Sequence, residues 1–458
     1  MHSLRFSDIA AILNQNAVQL YSDPVIESLL TDSRKLLLAP GTLFFAINGP
    51  QKKASDFILA LYEKGVRCFI TDNDFSQKEI EKCAEANFIR TTDVLGALQT
   101  IAARHRHLFH YPVIGITGSN GKTIVKEWLY QLLSTDYNIV RSPKSYNSQV
   151  GVPLSVWNMN ASHELGIFEA GISLPGEMQH LQKIIDPDIG IFTYIGDAHS
   201  EGFESLQQKI NEKLELFRNS KVIIYCADDE LLQRSIDDFK ASVNKGLQLF
   251  GWSSTPGNSL LVTRIDKQEN GTAIYCNYHL TEFNFFIPFS DDASIHNAIT
   301  CCCVLLYLDI HVAAIAAHIF QLRPVEMRLE LKEGINNCSI INDSYSADLN
   351  SLSITLDFLA QQQQHPKRTV ILSDVLQSGY EENELYSKIA TILERKGLYR
   401  FIGIGEQINA HAAAFDRITN KAFFQSTDDF LKNISSLHLN DETILLKGAR
   451  VFRFEKIS

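Results

Sequence analysis

The chain has 458 residues, too many for one hydrophobic core, and a usual domain size of about 150 residues predicts three domains. Its 45% hydrophobic and 21% charged residues are typical of a soluble globular protein and exclude a largely disordered or membrane-embedded one. The net charge of −11 at pH 7 argues against a nucleic-acid partner, so any anionic ligand must be held by local basic groups.

The first residues, the apolar runs and the cysteines indicate the cellular compartment. The first residues lack the apolar core of a signal peptide, and no apolar run approaches the roughly 20 residues that cross a bilayer. We therefore expect a cytoplasmic protein with no membrane partner. The eight cysteines form no CxxC pair, and Cys301, Cys302 and Cys303 lie in an apolar helical run, where we expect them to act as small packing residues.

Residues 1–108 open with an amphipathic helix and continue with short strands at Thr42–Ile47 and Arg67–Thr71, which predicts a small α/β domain. From residue 109 to residue 322 the pattern changes to continuous apolar strands separated by helices. Such strands are typical of a parallel sheet covered on both faces. The clearest of them are Val113–Thr117, Leu165–Glu169, Ile189–Ile195 and Val222–Cys226.

Residues 254–288 alternate apolar and polar side chains, which predicts an antiparallel sheet appended to this central domain. A helix over Ile295–Leu308 follows, and Pro324 lies in a predicted linker. Residues 323–458 again alternate strands with helices, so we predict a second open α/β domain there. Its strands are Ser339–Asn342, Thr369–Ser373, Phe401–Ile404 and Thr443–Leu446. The predicted fold class is therefore α/β with three domains.

The segment from Pro112 to Thr123, PVIGITGSNGKT, predicts a nucleotide phosphate site. An apolar strand leads into a turn of Gly118, Ser119, Asn120 and Gly121, whose backbone N–H groups can converge on an anion at a helix N-terminus. Lys122 would neutralise the β and γ phosphates, and the Thr123 hydroxyl would bind magnesium. The glycine spacing departs from the usual Walker form. A glycine-rich turn without a ligand is the alternative, but strand, turn, Gly-Lys-Thr and helix occur in order.

For two further residues, the predicted role depends on where they lie in the predicted strands and helices. Glu169 ends an apolar strand, which places a hard oxygen ligand at the carboxyl edge of the sheet and predicts a magnesium ligand; a solvent-facing carboxylate is the alternative. Lys213 borders the apolar stripe of the helix that contains Ile210, Leu214 and Phe217. From spacing alone it is a surface lysine with a partly buried stem.

Many short motifs in one order resemble the Mur ligases. They span most of the chain: TGSNGKT at 117–123, FEAG at 168–171, IGDAHSEGF at 195–203, KLELF at 213–217, HNA at 296–298, NDSYSAD at 342–348 and KGAR at 447–450. The resemblance implies a UDP-sugar-binding domain over 1–108, a central ATP-binding P-loop domain over 109–322 and a C-terminal Rossmann-like domain over 323–458. It also implies an amide ligase that uses ATP and two magnesium ions to join D-Ala-D-Ala to UDP-MurNAc-tripeptide through an acyl phosphate.

The resemblance implies roles for residues whose pattern is not informative by itself. His199 is implied as a catalytic ligand of the second magnesium, and Lys213 as a catalytic, carbamylated lysine that helps to hold metal. Asn297 is implied near the adenine, although His296 and Asn297 could also cap their helix. Further implied residues are Arg328 and Asp343 at ATP, Tyr345, Lys447 and Arg450 at substrate or phosphate, and Ser33 and Arg34 at the UDP-sugar.

Two segments depart from the family pattern: Ala54, Ser55 and Asp56 replace a common DGH, and residues 345–349 replace a common YNANP. Alternative functions are another Mur or folylpolyglutamate-synthase-type ligase, or a nucleotide-binding regulatory protein without catalysis. Some ligases of this branch continue into a pyridoxal-phosphate alanine racemase, and this chain could be such a ligase module, without racemase activity. We expect a monomer, and the sequence does not identify the third residue of the acceptor peptide.

Overall fold

The structure, a computed structural model, describes residues 4–49, 53–196, 202–325, 330–344, 347–361, 365–376, 378 and 380–457. Within these residues the strands form three sheets, of five, nine and six strands. Each sheet lies inside one of the three predicted ranges. The predicted fold class, α/β with three domains, is confirmed.

The first sheet has the strand order β1-β5-β4-β3-β2, with β1 antiparallel and the others parallel. Short 3-10 turns, among them Ser33–Lys35, connect its elements. The elements are α1 (Phe6–Ile12), β1 (Ala17–Gln19), β2 (Ser28–Leu30), β3 (Thr42–Phe45), α2 (Ile58–Glu63), β4 (Cys68–Thr71), α3 (Gln77–Ile80), β5 (Asn87–Arg90) and α4 (Val94–Arg106).

The central sheet has the order β14-β13-β12-β11-β10-β9-β6-β8-β7. Its elements are β6 (Val113–Thr117), α5 (Lys122–Leu133), β7 (Ile139–Arg141), α6 (Gly151–Val156), β8 (Leu165–Glu169), α7 (Glu177–Ile185), β9 (Ile189–Phe192), α8 (Leu206–Leu214), β10 (Val222–Cys226), α9 (Glu230–Ser242), β11 (Gln248–Ser253), β12 (Leu260–Gln268), β13 (Gly271–Tyr278), β14 (Thr281–Ile287), α10 (Asp292–Tyr307) and α11 (Val312–Ile319).

The three strands predicted as an antiparallel sheet appended to the central domain continue the central sheet at one edge. β12 pairs in parallel with β11 through Trp252 opposite Leu260 and Ser253 opposite Leu261, and β13 and β14 then add antiparallel. A parallel sheet buries its strands only if both faces are covered. Alternate residues of β6 meet different cores: Val113 packs on the side of α7, while Ile114 packs on the side of α5 and α10.

The cysteine prediction is confirmed, because all eight cysteines are free and buried, and Cys301 to Cys303, on α10, pack into the core of the central domain. Burial raises the pKa of each of these three thiols, since desolvation disfavours the thiolate. Among the residues described, no helix combines the length and apolar composition needed to cross a bilayer.

The third sheet has the order β15-β16-β20-β17-β18-β19, parallel except for the β15–β16 pair. Its elements are β15 (Glu330–Glu333), β16 (Ser339–Asp343), α12 (Leu349–Gln361), β17 (Lys367–Ser373), α13 (Glu382–Arg395), β18 (Arg400–Ile404), α14 (Glu406–Ala410), β19 (Lys421–Phe424), α15 (Thr427–Asn433) and β20 (Glu442–Lys447).

This topology positions the functional residues. β6 lies between β8 and β9, and all three run parallel, so the residues that follow them share one edge. Ligands of open α/β sheets bind at that carboxyl edge. The loop after β6, the carboxylate that ends β8 and the segment after β9 therefore meet.

Candidate functional site

The loop between β6 and α5 forms a cradle that admits no extra side-chain atoms. Gly118 and Gly121 have φ values of +142° and +86°, in the range that favours glycine. A Cβ on Gly118 would lie 2.1 Å from Thr193 Oγ1, and one on Gly121 would lie 2.5 Å from Asn297 Oδ1. The loop backbone is held by Ser119 N–H, which donates to the Tyr194 carbonyl at 2.6 Å. The N-terminus of α5 behind this fixed loop suits a phosphate group.

Lys122 lies over the same loop. Its ammonium donates to the carbonyls of Gly118 at 2.7 Å and Ser119 at 2.9 Å. A half-buried positive charge thus stands at the mouth of the cradle, where it would meet the phosphates.

Thr123 and Glu169 form a pair of hard oxygen donors beside the cradle. The Thr123 hydroxyl donates to Glu169 Oε2 at 3.0 Å and lies 2.9 Å from Ser145 Oγ. Glu169 is fully buried, so the alternative of a solvent-facing carboxylate is wrong. No group of three or more His, Cys, Asp or Glu side chains with metal-binding geometry occurs in the described ranges. The pair fits magnesium, which binds through one or two protein oxygens together with substrate phosphates.

The buried charge of Glu169 is balanced by Lys126, one helical turn after Lys122. Lys126 has no exposed surface, and its Nζ lies 3.1 Å from Glu169 Oε1 and 2.9 Å from Glu127 Oε1. It also donates to the carbonyl of Ser142 at 2.7 Å and to that of Lys144. This single ammonium therefore joins α5, β8 and the segment that follows β7.

Lys213 is buried, with 3% of its surface exposed, so the interpretation as a surface lysine is wrong. Its Nζ donates to the Gly118 carbonyl at 3.2 Å, which places it behind the cradle. Lys209, one turn earlier on α8, is also buried and donates to the Gly196 carbonyl at 2.5 Å. Desolvation, and then the charges of Lys122 and Lys209, hold the pKa of Lys213 well below its usual range.

His296 and Asn297 lie in the first turns of α10, but neither caps the helix. Asp291 is the N-cap, because its carboxylate accepts from Ser294 N–H at 2.8 Å. The alternative of a capping role for the two residues is therefore wrong. The ring of His296 packs edge-on against Trp252, with centroids 4.6 Å apart, and burial lowers its pKa to about 4. Asn297 faces Gly121 and so borders the cradle.

The third sheet pairs two predicted residues with each other. Asp343 ends β16, Lys447 ends β20, and the two residues are register partners in the parallel ladder. Their side chains form a buried ion pair with an N–O distance of 2.5 Å, and Asp343 also accepts from the Thr355 hydroxyl at 2.8 Å. Arg450 follows in an exposed 3-10 turn.

The predicted UDP-sugar residues lie in the Ser33–Lys35 turn of the first domain. The side chain of Arg34 is exposed and pairs with Asp32 at 2.8 Å. That guanidinium holds the pKa of Asp32 below its usual range. Lys35 reaches the hydroxyl of Tyr146 at 2.9 Å, and Tyr146 adjoins Ser145, the neighbour of Thr123. The turn is thus linked to the cradle through residues 142–147.

The predicted residues His199, Arg328 and Tyr345 lie outside the described residues. The sequence reasoning missed Lys126, Ser145 and Lys209. The signal that could have found Lys126 is its place on the same helical face as Lys122 and Leu129, since residues three and four apart share a face. Leu129 packs in the central core, so its face is buried.

Comparisons with known proteins show what the chain is similar to. Residues 116–305 match the Mur ligase middle domain. The UDP-N-acetylmuramoyl-tripeptide–D-alanyl-D-alanine ligase of Bacillus subtilis (strain 168) is 27% identical over 451 residues, which cover 95% of this chain and 93% of that relative. The crystal structure of MurF from Acinetobacter baumannii matches with a TM-score of 0.83 at 21% identity, over 100% of this chain and 98% of the other.

A structure of MurF ligase from Thermotoga maritima in complex with ADP matches with a TM-score of 0.73 at 20% identity, over 94% of this chain and 96% of the other. At these identities the two structures establish a shared fold. The likeness covers all three sheets, not only the nucleotide domain.

Proposed function

This chain belongs to the Mur ligase family, and we propose that it is an ATP-dependent ligase that joins D-alanyl-D-alanine to UDP-N-acetylmuramoyl-tripeptide. One observation supports this choice of substrates: the relative with that name matches over 95% of this chain. We assign the reaction to the cytoplasmic stage of peptidoglycan precursor synthesis.

The proposed chemistry begins with a carboxylate, which is a poor acylating agent because oxide is a poor leaving group. Transfer of the γ-phosphoryl group of ATP to the terminal carboxylate of the tripeptide releases ADP and gives an acyl phosphate. The free amine of the dipeptide then attacks the acyl carbon, the amide bond forms, phosphate leaves, and the amine loses a proton. Phosphoryl transfer asks the protein mainly for positioning and charge neutralisation.

The residues around the cradle fit these tasks. The glycine loop and Lys122 would hold and neutralise the phosphates, and Thr123 and Glu169 would hold magnesium. Bound magnesium would offset the repulsion between the triphosphate and the carboxylate. We propose a second magnesium ion with His199 and Lys213 among its ligands. Asn297, next to Gly121, would lie near the adenine.

Lys213 is proposed to act as a carbamate. Its neutral amine, favoured by burial and by two nearby lysines, can attack carbon dioxide and lose a proton. The negative carbamate would then have Lys122 and Lys209 as counter-charges, and its oxygens could help to hold metal. Carbamate formation would thus replace a positive charge, which burial and two nearby lysines disfavour, with a negative one.

The remaining roles concern the outer domains. Asp343 and Lys447 are proposed to act as a pair at the nucleotide, together with Arg328, when the C-terminal domain closes. Tyr345 and Arg450 are assigned to substrate, and Ser33 and Arg34 to the UDP-sugar, where an arginine fork suits a diphosphate.

Phosphate release measured with purified protein tests the proposal. We expect steady release only when ATP, UDP-MurNAc-tripeptide and D-Ala-D-Ala are all present, with lysine- and diaminopimelate-containing tripeptides compared. Turnover with free amino acids or glutamate as the acceptor would instead indicate another ligase of the family. Binding of ATP without turnover under any combination would indicate a regulatory protein.

A further inference from the structure

Lys126 is a buried cation that contacts Glu169, a residue of the proposed metal site. Its ammonium is within 3.1 Å of one oxygen of Glu169 and within 2.9 Å of one oxygen of Glu127. Two backbone carbonyls, of Ser142 and Lys144, complete its surroundings. The ammonium thus has more acceptors than protons, and it touches three separate elements.

The charges around Lys126 alternate in sign. Glu127 binds Arg141 through its other oxygen at 3.1 Å, so the order is Arg141, Glu127, Lys126 and Glu169. Desolvating a lysine and a glutamate is costly, and well-packed apolar residues are often as stabilising as a buried ion pair. A gain in stability is therefore a weak explanation for the Lys126–Glu169 ion pair. A role in orienting the Glu169 carboxylate explains it better.

The contacts divide the two oxygens of Glu169 between two tasks. Oε1 forms an ion pair with the Lys126 ammonium at 3.1 Å, without a hydrogen bond, and Oε2 accepts a hydrogen bond from the Thr123 hydroxyl at 3.0 Å. A carboxylate without a partner for Oε1 could rotate, and Oε2 would lose its fixed direction. The same ammonium holds residues 142–144, which lead to Ser145, 2.9 Å from Thr123. Lys126 thus contacts one neighbour of the Thr123 hydroxyl, Glu169, directly, and it contacts the segment that leads to the other, Ser145.

We propose that Lys126 is a positioning residue that fixes Glu169 for magnesium binding. The inference rests on the proposed function, because it takes Glu169 as a metal ligand. Partners that orient metal ligands typically contribute about 10- to 100-fold to metal affinity. Replacing Lys126 with methionine, which keeps an unbranched side chain of similar size and removes the ammonium, should therefore weaken metal binding by about that factor. Binding of ADP without metal should be unchanged, because Lys126 makes no contact with the loop 118–121 among those described.

The test is a titration of Mn²⁺, followed by its electron paramagnetic resonance signal, in the presence of saturating ADP. The full chain is compared with Lys126→Met, Glu169→Gln and the double variant, and metal-free ADP binding is measured by calorimetry. Arg106→Met is the matched control, since Arg106 is also buried but donates to the carbonyl of Phe109, which follows α4, and to that of Ile185 on α7. It should lower thermal stability without changing the Mn²⁺ affinity.

We expect Lys126→Met and Glu169→Gln each to weaken Mn²⁺ binding, and the double variant to bind no more weakly than Glu169→Gln, because Lys126 acts through Glu169. If Glu169→Gln binds Mn²⁺ as the unmodified chain does, the metal site and this inference are both overturned. If only Glu169→Gln weakens binding, or if Arg106→Met weakens it as much as Lys126→Met, the inference alone is overturned.

Circular dichroism shows whether Lys126→Met folds. Should it not fold, Lys126→Arg takes its place, because it keeps the charge but cannot reproduce the contacts of a compact ammonium. Weakened Mn²⁺ binding by this variant supports the inference, and unchanged binding overturns it.

Discussion

Replacing Gly121 with alanine should weaken nucleotide binding far more than it weakens the fold. Gly121 immediately precedes α5 with φ +86° and ψ −19°. An alanine in this left-handed conformation costs about 1–2 kcal/mol. Its Cβ would also lie 2.5 Å from the buried Asn297 Oδ1, and such overpacking typically costs about 1–3 kcal/mol.

The total strain, about 2–5 kcal/mol, applies fully only when the loop keeps its present shape. Without nucleotide the variant loop can relax. With nucleotide it must return to the cradle conformation, and each 1.4 kcal/mol felt only in the bound state weakens affinity about tenfold. We therefore expect a loss of at least about tenfold in ADP affinity.

Gly176→Ala is a matched control, because Gly176 precedes α7 with φ +82° and ψ −18°, and a Cβ there meets no atom within 4 Å. It carries the backbone cost without the steric one and should leave ADP affinity unchanged. Calorimetric titration with ADP and thermal melting of both variants give the comparison. A folded Gly121→Ala protein that binds ADP as tightly as the unmodified chain would refute the cradle argument.

Lys213→Ala should abolish most turnover, and a short carboxylic acid added to the assay should restore part of it; near-normal activity without the acid would contradict the carbamate. His296 should make the stability of the fold sensitive to acid, because its pKa in the folded protein is about 4, below the ordinary 6.5. Stability should therefore fall by up to about 3 kcal/mol as the pH drops from about 6.5 to 4. Replacing His296 with glutamine should remove this part of the pH dependence of the melting temperature. Lys447→Met leaves Asp343 buried without its cation and should destabilise the third domain by about 3–5 kcal/mol in denaturant unfolding, whereas Lys447→Met combined with Asp343→Leu should lose less. The eight buried cysteines should react with a thiol reagent slowly in the native protein and completely in denaturant; rapid native labelling would contradict their burial.

Local patterns in the sequence were enough to predict much of the architecture. Continuous apolar strands such as Val113–Thr117 and Leu165–Glu169 have the same bounds in the structure as in the prediction. The Gly-Lys-Thr segment could be placed at a sheet edge because strand, turn and helix follow each other directly in the chain. Hydrophobic periodicity, turn residues and short motifs each depend on a few adjacent residues, so a single segment of sequence is enough to predict its own secondary structure.

The structure alone decided which charged residues are buried. A lysine in a helix is expected to face water; Lys213 was interpreted in this way and Lys126 was not singled out, yet both are buried. Their burial depends on acceptors from other elements: Glu169 for Lys126 and the Gly118 carbonyl for Lys213. A helical pattern does not contain this information, because the cost of burying a charge is offset only by partners that folding brings near.

Tertiary register also decided how distant residues combine. Asp343 and Lys447 were predicted as separate contacts, but the parallel pairing of β16 with β20 places them opposite each other across 104 residues of sequence. Likewise, the parallel pairing of β11 with β12 decided that the predicted appended strands continue the central sheet. The sequence by itself determined the elements and the glycine loop between β6 and α5, since these depend on adjacent residues. Strand order and register determined the charge pairs, because those depend on residues that only the folded chain brings into contact.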